Sequence, residues 1–233
     1  MAKRPVFIPD PTGALVAERM VEFEWHPGFA LVQKRKNIDS LHRAAVIHLG
    51  REPLLEVSSK SPRALGARLS AFNLHVPFRE FDRRIPLESA FQGSKVFAAS
   101  GQHTEIYEAR SGAEAKKAAR EYDSEALVAF MYEGRTWPLE PKTVFYDWLY
   151  IGALLELWGE RPALLSELSG FQGFTDIEFN PKRSLNCQAR SCALFVALAS
   201  TGDIDRYVRD PDIFVAVLGE RGYCMPPGPI AFL

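Results

Sequence analysis

The chain has 233 residues, 47% of them hydrophobic and 24% charged, and its 28 basic and 29 acidic side chains leave a net charge of -1. This composition supports a full hydrophobic core and excludes a disordered chain. The charge balance excludes a globally basic, histone-like binder and leaves room only for a local basic patch.

Residues 1–28 read as loop, because Pro5, Pro9, Pro11 and Pro27 interrupt any helix. A helix is expected next, capped by Asn37 or Asp39, with Ile38, Leu41, Ala45 and Leu49 on one face and Gly50 at its end. Leu54–Ser58 reads as a short strand. Pro86 suits the first turn of a helix that runs to about Ala98. Ala113–Tyr122 reads as a surface helix and Ser124–Tyr132 as another short one. Thr143–Trp158 is the strongest core helix, and Arg161–Leu168 continues the packing after Pro162. Thr175–Phe179 reads as extended, Ala189–Ala199 as a buried helix, Asp210–Leu218 as a last helix and Cys224–Leu233 as a Pro-rich tail. With no repeat and no obvious linker, the expectation is one mainly α-helical domain with a few short strands.

The longest uninterrupted apolar run, Cys192 to Ala199, is too short to span a bilayer. The N-terminus shows no signal-peptide core. Three cysteines suit small buried hydrophobes better than a disulfide framework. A soluble protein of the reducing cytoplasm, without contact to a membrane, is expected. There is no phosphate loop, dinucleotide fingerprint or nucleophile elbow. The five histidines and three cysteines lack metal-ligand spacing, so no metal is expected.

The segment from Pro86 to Phe97 is the richest in chemistry. Glu88, Phe91, Gln92 and Lys95 fall at i, i+3, i+4 and i+7, one stripe of a helix. A carboxylate can act as acid or base at a sugar carbon, and an amine can attack an aldehyde or oxocarbenium. The same spacing equally describes an exposed Glu–Lys face around one core Phe. Two further segments are crowded with polar groups: 174–191 with Asp176, Asn180 and Asn186, and 57–73 with Ser59, Lys60, Ser61, Phe72 and Asn73. Each also reads as a capped loop or a turn.

These segments, in this order, resemble the NADAR (YbiA-like) family, linked to NAD and ADP-ribose metabolism. Leu87-Glu-Ser-Ala-Phe-Gln-Gly-Ser-Lys-Val-Phe is similar to its central Glu-x-x-Phe-Gln-x-x-Lys-x-Phe motif. Leu69-Ser-Ala-Phe-Asn resembles its Ser-Asn-Phe segment, with Ala71 at the family's Asn and an Asn two places later at 73. Trp137 with the helix from Thr143, and Asp176 to Leu198 with Asn186 at the loop's Asn, resemble its later motifs. The Trp-Gly-rich loop of the general family is replaced here by Asp176-Ile-Glu-Phe-Asn-Pro. The match runs over about 54–200, the size of one domain. It implies an N-terminal extension over 1–53, carrying Gln33-Lys-Arg-Lys-Asn and packed on the core, and a NADAR-like domain over 54–233.

Gln33-Lys-Arg-Lys-Asn, Ser58-Ser-Lys-Ser, Phe145-Tyr-Asp-Trp-Leu-Tyr and Phe174-Thr-Asp-Ile-Glu-Phe-Asn-Pro resemble one subgroup, the antitoxins paired with DarT-type DNA ADP-ribosyltransferase toxins. The resemblance implies a mainly helical fold and a glycohydrolase acting on ADP-ribose attached to guanine in DNA. The reaction needs no cofactor, and ADP-ribose is its product. On this reading Glu88 is the carboxylate near the ribose, and Lys95 the amine that captures C1″, with Lys36 and Lys60 as alternates. Ser59, Lys60, Ser61, Phe72, Asn73, Phe91, Gln92, Trp137, Asp176, Asn180 and Asn186 form the substrate-binding set. Lys34, Arg35 and Lys36 are the dense basic cluster for nucleic-acid phosphates. An N-glycosidase on a riboflavin-pathway intermediate, and a non-enzymatic antitoxin that binds its toxin directly, stand as alternatives.

Overall fold

The computed structural model describes residues 1–79, 82–182 and 184–223. Among them 45% are helical and 21% lie in strands, so the fold is mixed α/β rather than mainly α. The largest departure from expectation is at the N-terminus. There β1 (Ala2–Asp10) and β2 (Leu15–Phe23) form an antiparallel hairpin in register from Ala2↔Phe23 to Asp10↔Leu15. The prolines mislead because β1 meets its second neighbour at a single register, Phe7↔Phe174. A strand with one long ladder tolerates missing donors on its other side.

The sheet runs β2-β1-β10-β3, with β3 (Leu54–Glu56) parallel to β10 (Gly173–Thr175). Alternation sorts its side chains between two layers. Val6, Val21, Phe23, Leu54 and Ile177 pack with Ile38, Leu41 and Ala45 of α1 (Leu31–Leu49). Phe7, Leu15, Leu55 and Phe174 join the main core on the opposite face.

That core is built around α5 (Val144–Glu160) and α7 (Gln188–Ala199). Residues 188–198 of α7 are all buried, and its alanines and serines permit close approach. Smaller helices complete the layer: α2 (Ala64–Arg68), α3 (Leu87–Gly93), α4 (Gly112–Ala119), α6 (Leu164–Ser169), α8 (Ile204–Arg209) and α9 (Pro211–Glu220). One strand pair, β4 (His75–Phe78) with β5 (Arg83–Pro86), and one four-stranded sheet, β7-β6-β8-β9, made of β6 (Lys95–Phe97), β7 (Gly101–Gln102), β8 (Leu127–Tyr132) and β9 (Arg135–Trp137), close it.

Three element boundaries differ from expectation for identifiable reasons. α1 starts at Leu31, six residues before Asn37, because Asn37 caps no helix. Its amide instead clamps the His26 backbone, Oδ1 accepting from His26 N at 2.7 Å and Nδ2 donating to His26 O at 2.8 Å. α3 stops at Gly93, where Ser94 O accepts Met131 N at 2.7 Å and draws the chain into pairing with β8. Lys95–Phe97 is therefore strand. Residues 127–132 are strand, not helix, because β8 is hydrogen-bonded on both sides, a tertiary pairing that overrides local propensity. Gly50 ends α1 as expected, in the left-handed conformation. The Cys224–Leu233 tail lies outside the described residues.

Asp147 locks α5 to α7. It accepts Ser191 Oγ at 2.5 Å, Thr143 Oγ1 at 2.9 Å and Tyr223 OH at 3.1 Å, with Arg190 Nη1 at 3.8 Å. Burial pushes its carboxyl up, against the pull of Arg190. Asp147→Ala leaves buried Arg190 without its carboxylate and takes the acceptor from the Thr143 and Tyr223 hydroxyls, Ser191 keeping its bond to Cys187 O at 3.3 Å. A loss of about 3–5 kcal/mol is expected in urea unfolding.

Candidate active site

Glu88 lies in the first turn of α3, a helix whose seven residues are all buried. Gln92, one turn on, donates its amide to Glu88 Oε1 at 2.8 Å. The other end of that amide, Gln92 Oε1, is buried without a partner, as is the Ser89 hydroxyl. Unsatisfied buried polar atoms on a helix that also carries a carboxylate suit a polar ligand.

Lys95 reaches this region from a strand rather than from the expected helical stripe. Its Nζ stands 5.6 Å from the Phe91 ring centroid. Burial lowers its ammonium, opposed by the charges of Asp123 and Glu88. Phe91 itself is core, packed on Phe130 at 5.4 Å and edge-on to Tyr146 at 5.1 Å. At Gly112, α4 comes close to both Glu88 and Phe72. A Cβ on Gly112 would lie 2.7 Å from Glu88 Cβ and 3.0 Å from Phe72 Cδ1. Only glycine fits there, so Gly112 sits against both the Glu88 side-chain stem and the ring of Phe72, which is 37% exposed.

The second half of the site is the loop after β10. Asp176 Oδ1 accepts Glu178 N at 2.9 Å and Phe179 N at 3.3 Å, and its Oδ2 accepts Gln188 Nε2 at 3.0 Å. Gln188 Oε1 in turn accepts Ala71 N at 2.8 Å. One amide at the start of α7 thus couples the Asp176 loop to the segment that carries Phe72. Burial raises the Asp176 carboxyl, and these donors oppose it. Tyr146 lies between the halves. Burial first, then the negative charges of Glu88, Cys187, Asp176 and Asp147, push its phenol well up. Its hydroxyl has no hydrogen bond to another described residue.

The remaining residues of the expected set scatter. Asn186 joins Phe91 and Tyr146 around a small cavity of about 20 Å³. Asn180 closes its own loop, Oδ1 accepting Lys182 N at 3.1 Å. Asn73 turns to α2, donating to Ala67 O at 2.8 Å, and borders a depression with Arg84 and Glu160. Trp137 is buried against Phe145 and Trp148 and lines a separate cleft of about 600 Å³. Residues 58–61 form a turn, Ser61 N donating to Ser58 O at 3.0 Å. Ser59 is exposed there, Lys60 half-buried and Ser61 buried. Of the basic cluster, Lys34 is committed to Glu178 at 2.7 Å, and Arg35 and Lys36 are exposed on α1.

Sequence reasoning missed Tyr146, Gln188, Gly112 and a buried network at the end of β3. In that network Glu56 Oε1 accepts Ser58 Oγ at 2.6 Å and Ile177 N at 2.8 Å, and Glu56 Oε2 accepts Thr175 Oγ1 at 2.7 Å. Thr175 Oγ1 lies 2.8 Å from His42 Nε2. The threonine hydroxyl thus links the Glu56 carboxyl to the His42 imidazole. The only local signal was an acid and a histidine placed among apolar neighbours.

Burial, aided by Arg63, depresses His42 to about 4. An unfolded His has its ordinary value near 6.5, so the unfolded chain takes up a proton first as pH falls. The His42 contribution is therefore intact above pH 6.5 and is lost toward pH 4; by pH 5 about 2 kcal/mol is gone. The raised carboxyls of Glu56 and Asp176 act in the opposite sense. The comparison that isolates His42 is urea unfolding of wild type and His42→Gln at pH 7 and pH 5, where the variant is expected to lose less.

Among the described residues no three His, Cys, Asp or Glu side chains converge as a metal ion requires, and no helix is long and apolar enough to cross a membrane. Cys187 and Cys192 are free and buried, with thiols pushed up by burial. No curated protein matches the chain. A family model described as DarT1-associated NADAR antitoxin matches residues 2–223. With its buried Glu88–Gln92 pair, its Lys95 and nearly its whole length inside that match, the chain belongs to the NADAR-DarT1 family of antitoxins.

Proposed function

We propose that this chain removes ADP-ribose from guanine bases in DNA, reversing the modification that a DarT-type toxin makes. The observation that carries the reading is the Lys95 amine, lowered by burial and held over Phe91 in the field of Glu88. A nucleophilic lysine must be partly neutral, and burial is what favours its neutral form. The antitoxin family supports the biological direction, protection against a DarT1 partner.

The bond to be broken joins ribose C1″ to a guanine nitrogen. As it stretches, positive charge grows on the sugar and negative charge on the base. Glu88, beside the ribose and protonated at the start, hands its proton to the departing nitrogen and, as the carboxylate this leaves, offsets the positive charge on the sugar. The electron pair of the broken bond stays with guanine. Lys95 Nζ adds to C1″, and the ring oxygen leaves to give an open-chain iminium. Water then adds to that carbon, the lysine amine departs, and ADP-ribose is released. Gln92, fixed to Glu88 through its amide nitrogen, has Oε1 free to accept a ribose hydroxyl. Tyr146 offers its phenol as a donor between the two halves, and Phe72 a ring face at the entrance.

The test is an oligonucleotide carrying ADP-ribose on one guanine, with a thymine-modified oligonucleotide as control. Plain DNA and free ADP-ribose are expected from the guanine substrate, and Glu88→Gln should slow release by about 10²- to 10⁴-fold. No release from either oligonucleotide rejects the reading and moves attention to small N-glycosides or to direct toxin binding. Borohydride added during turnover should trap a covalent adduct, which peptide mass spectrometry is expected to place on Lys95. An adduct on Lys36 or Lys60 would reassign the nucleophile.

A further inference from the structure

Phe29 is 96% exposed, the most exposed of the large hydrophobic side chains described. Burying such a side chain would be favourable, a gain this chain forgoes. It does so in a pinned loop, not a loose one. The Asn37 amide clamps His26 on one side, and Gln33 N and Lys34 N both donate to Ala30 O, at 2.9 and 3.1 Å, on the other. Between them Gly28 has a φ of +127°, a turn that other residues rarely adopt, and it aims Phe29 outward. Leu31 and Val32, at 46% and 64% exposure, extend the apolar tip.

Cations follow one turn later. Arg35 and Lys36 are exposed and form no ion pair with any described residue. The outward face of α1 adds Arg43 against Asp39, so its balance is positive while the whole chain is at -1. Lys34 is excluded from this set, because its ammonium is paired with Glu178 at 2.7 Å and only 15% of its side chain is exposed. That ion pair has another consequence. Glu178 donates its backbone N–H to Asp176, so the α1 tip is fastened to the loop of the candidate site.

We infer that the first turn of α1 docks a single nucleic-acid strand, with Phe29 stacking on an unpaired base beside the modified nucleotide and Arg35 and Lys36 taking its phosphates. A rigid exposed aromatic next to unpaired cations is the pattern that binds single strands without reading sequence. An acidic protein surface would also meet the cations, but the bond from Lys34 to the Asp176 loop makes this tip the rim of a site proposed to take a nucleotide. The inference rests on the function proposed above for its position on the substrate, and not for the binding itself.

Two measurements test it on the full chain. The first is fluorescence anisotropy with an unmodified single-stranded 12-mer. Phe29→Ala is expected to weaken binding roughly 5- to 100-fold and Phe29→Trp to retain it. Arg35→Ala with Lys36→Ala should reduce the slope of log affinity against log salt by about 0.7 per charge. The second is turnover of the ADP-ribosylated oligonucleotide against the ADP-ribosylated nucleoside. Phe29→Ala should raise KM for the first and leave the second unchanged. If wild type turns over neither substrate, the proposed function fails while the anisotropy still decides the docking. Equal strand affinity of wild type and Phe29→Ala overturns the inference. So does a wild type that binds no strand, or a KM raised equally on the nucleoside.

Discussion

The Glu56 carboxyl is hydrogen-bonded in three places at once: to the Ser58 hydroxyl in the turn after β3, to the Ile177 backbone after β10, and to the Thr175 hydroxyl, which is also hydrogen-bonded to His42 of α1. Buried acids are costly unless every lone pair is satisfied, and here satisfying one acid requires four segments to sit in register. β3 and β10 could pair through their backbones alone. What the carboxylate adds is the exit direction of β10, because Ile177 N must point at it. That direction places Asp176 facing Gln188, and so sets half of the candidate site. Burial first, and the nearby Asp176 charge second, raise the Glu56 carboxyl.

The other half hangs from α5. Tyr150 donates to Leu69 O at 2.6 Å, holding the segment that leads to Phe72, while Tyr146, one turn earlier, packs against Phe91 of α3. The same helix face therefore supports both the carboxylate helix and the Phe72 turn. Asp147 on the neighbouring position locks α5 to α7, whose first residue is the Gln188 that bridges to Asp176. The two halves of the site are thus joined through one buried helix pair and not through the surface, which suits chemistry that needs groups held to fractions of an ångström.

Much of this was legible in the residues, though unevenly. The helices from 144, 188 and 211 announce themselves by continuous apolar character, and Glu88 with Gln92 by helical spacing. Lys95 was paired with Glu88 for the wrong geometric reason: the helix that would have aligned them ends at Gly93, and strand pairing with Phe130 brings the amine back. The N-terminal hairpin was invisible because its prolines carry a loop signature, and what rescues them is an incomplete neighbour that no local pattern contains. Glu56, His42 and Thr175 are more than a hundred residues apart at their extremes, so their network exists only in the folded chain. Asn37 could be read only as a helix cap. Its real work, clamping the His26 backbone, depends on the chain doubling back before the helix begins.

Charge balance shapes how such a site must recognise its ligand. With a net charge of -1 the chain has no long-range field to gather polyanions, so attraction has to come from a few cations that no carboxylate has already neutralised. Lys34 is spent on Glu178, Arg161 on Glu167 and Arg135 on Asp212, and Arg4 stands over Trp25 within reach of the Asp176 and Glu178 charges. Arg35 and Lys36 are among the cations left uncommitted, on the helix that His42 fastens to Thr175. On the function proposed above, rare modified bases have to be found among a great excess of plain ones, and a strongly basic surface would work against that by holding the plain polymer everywhere.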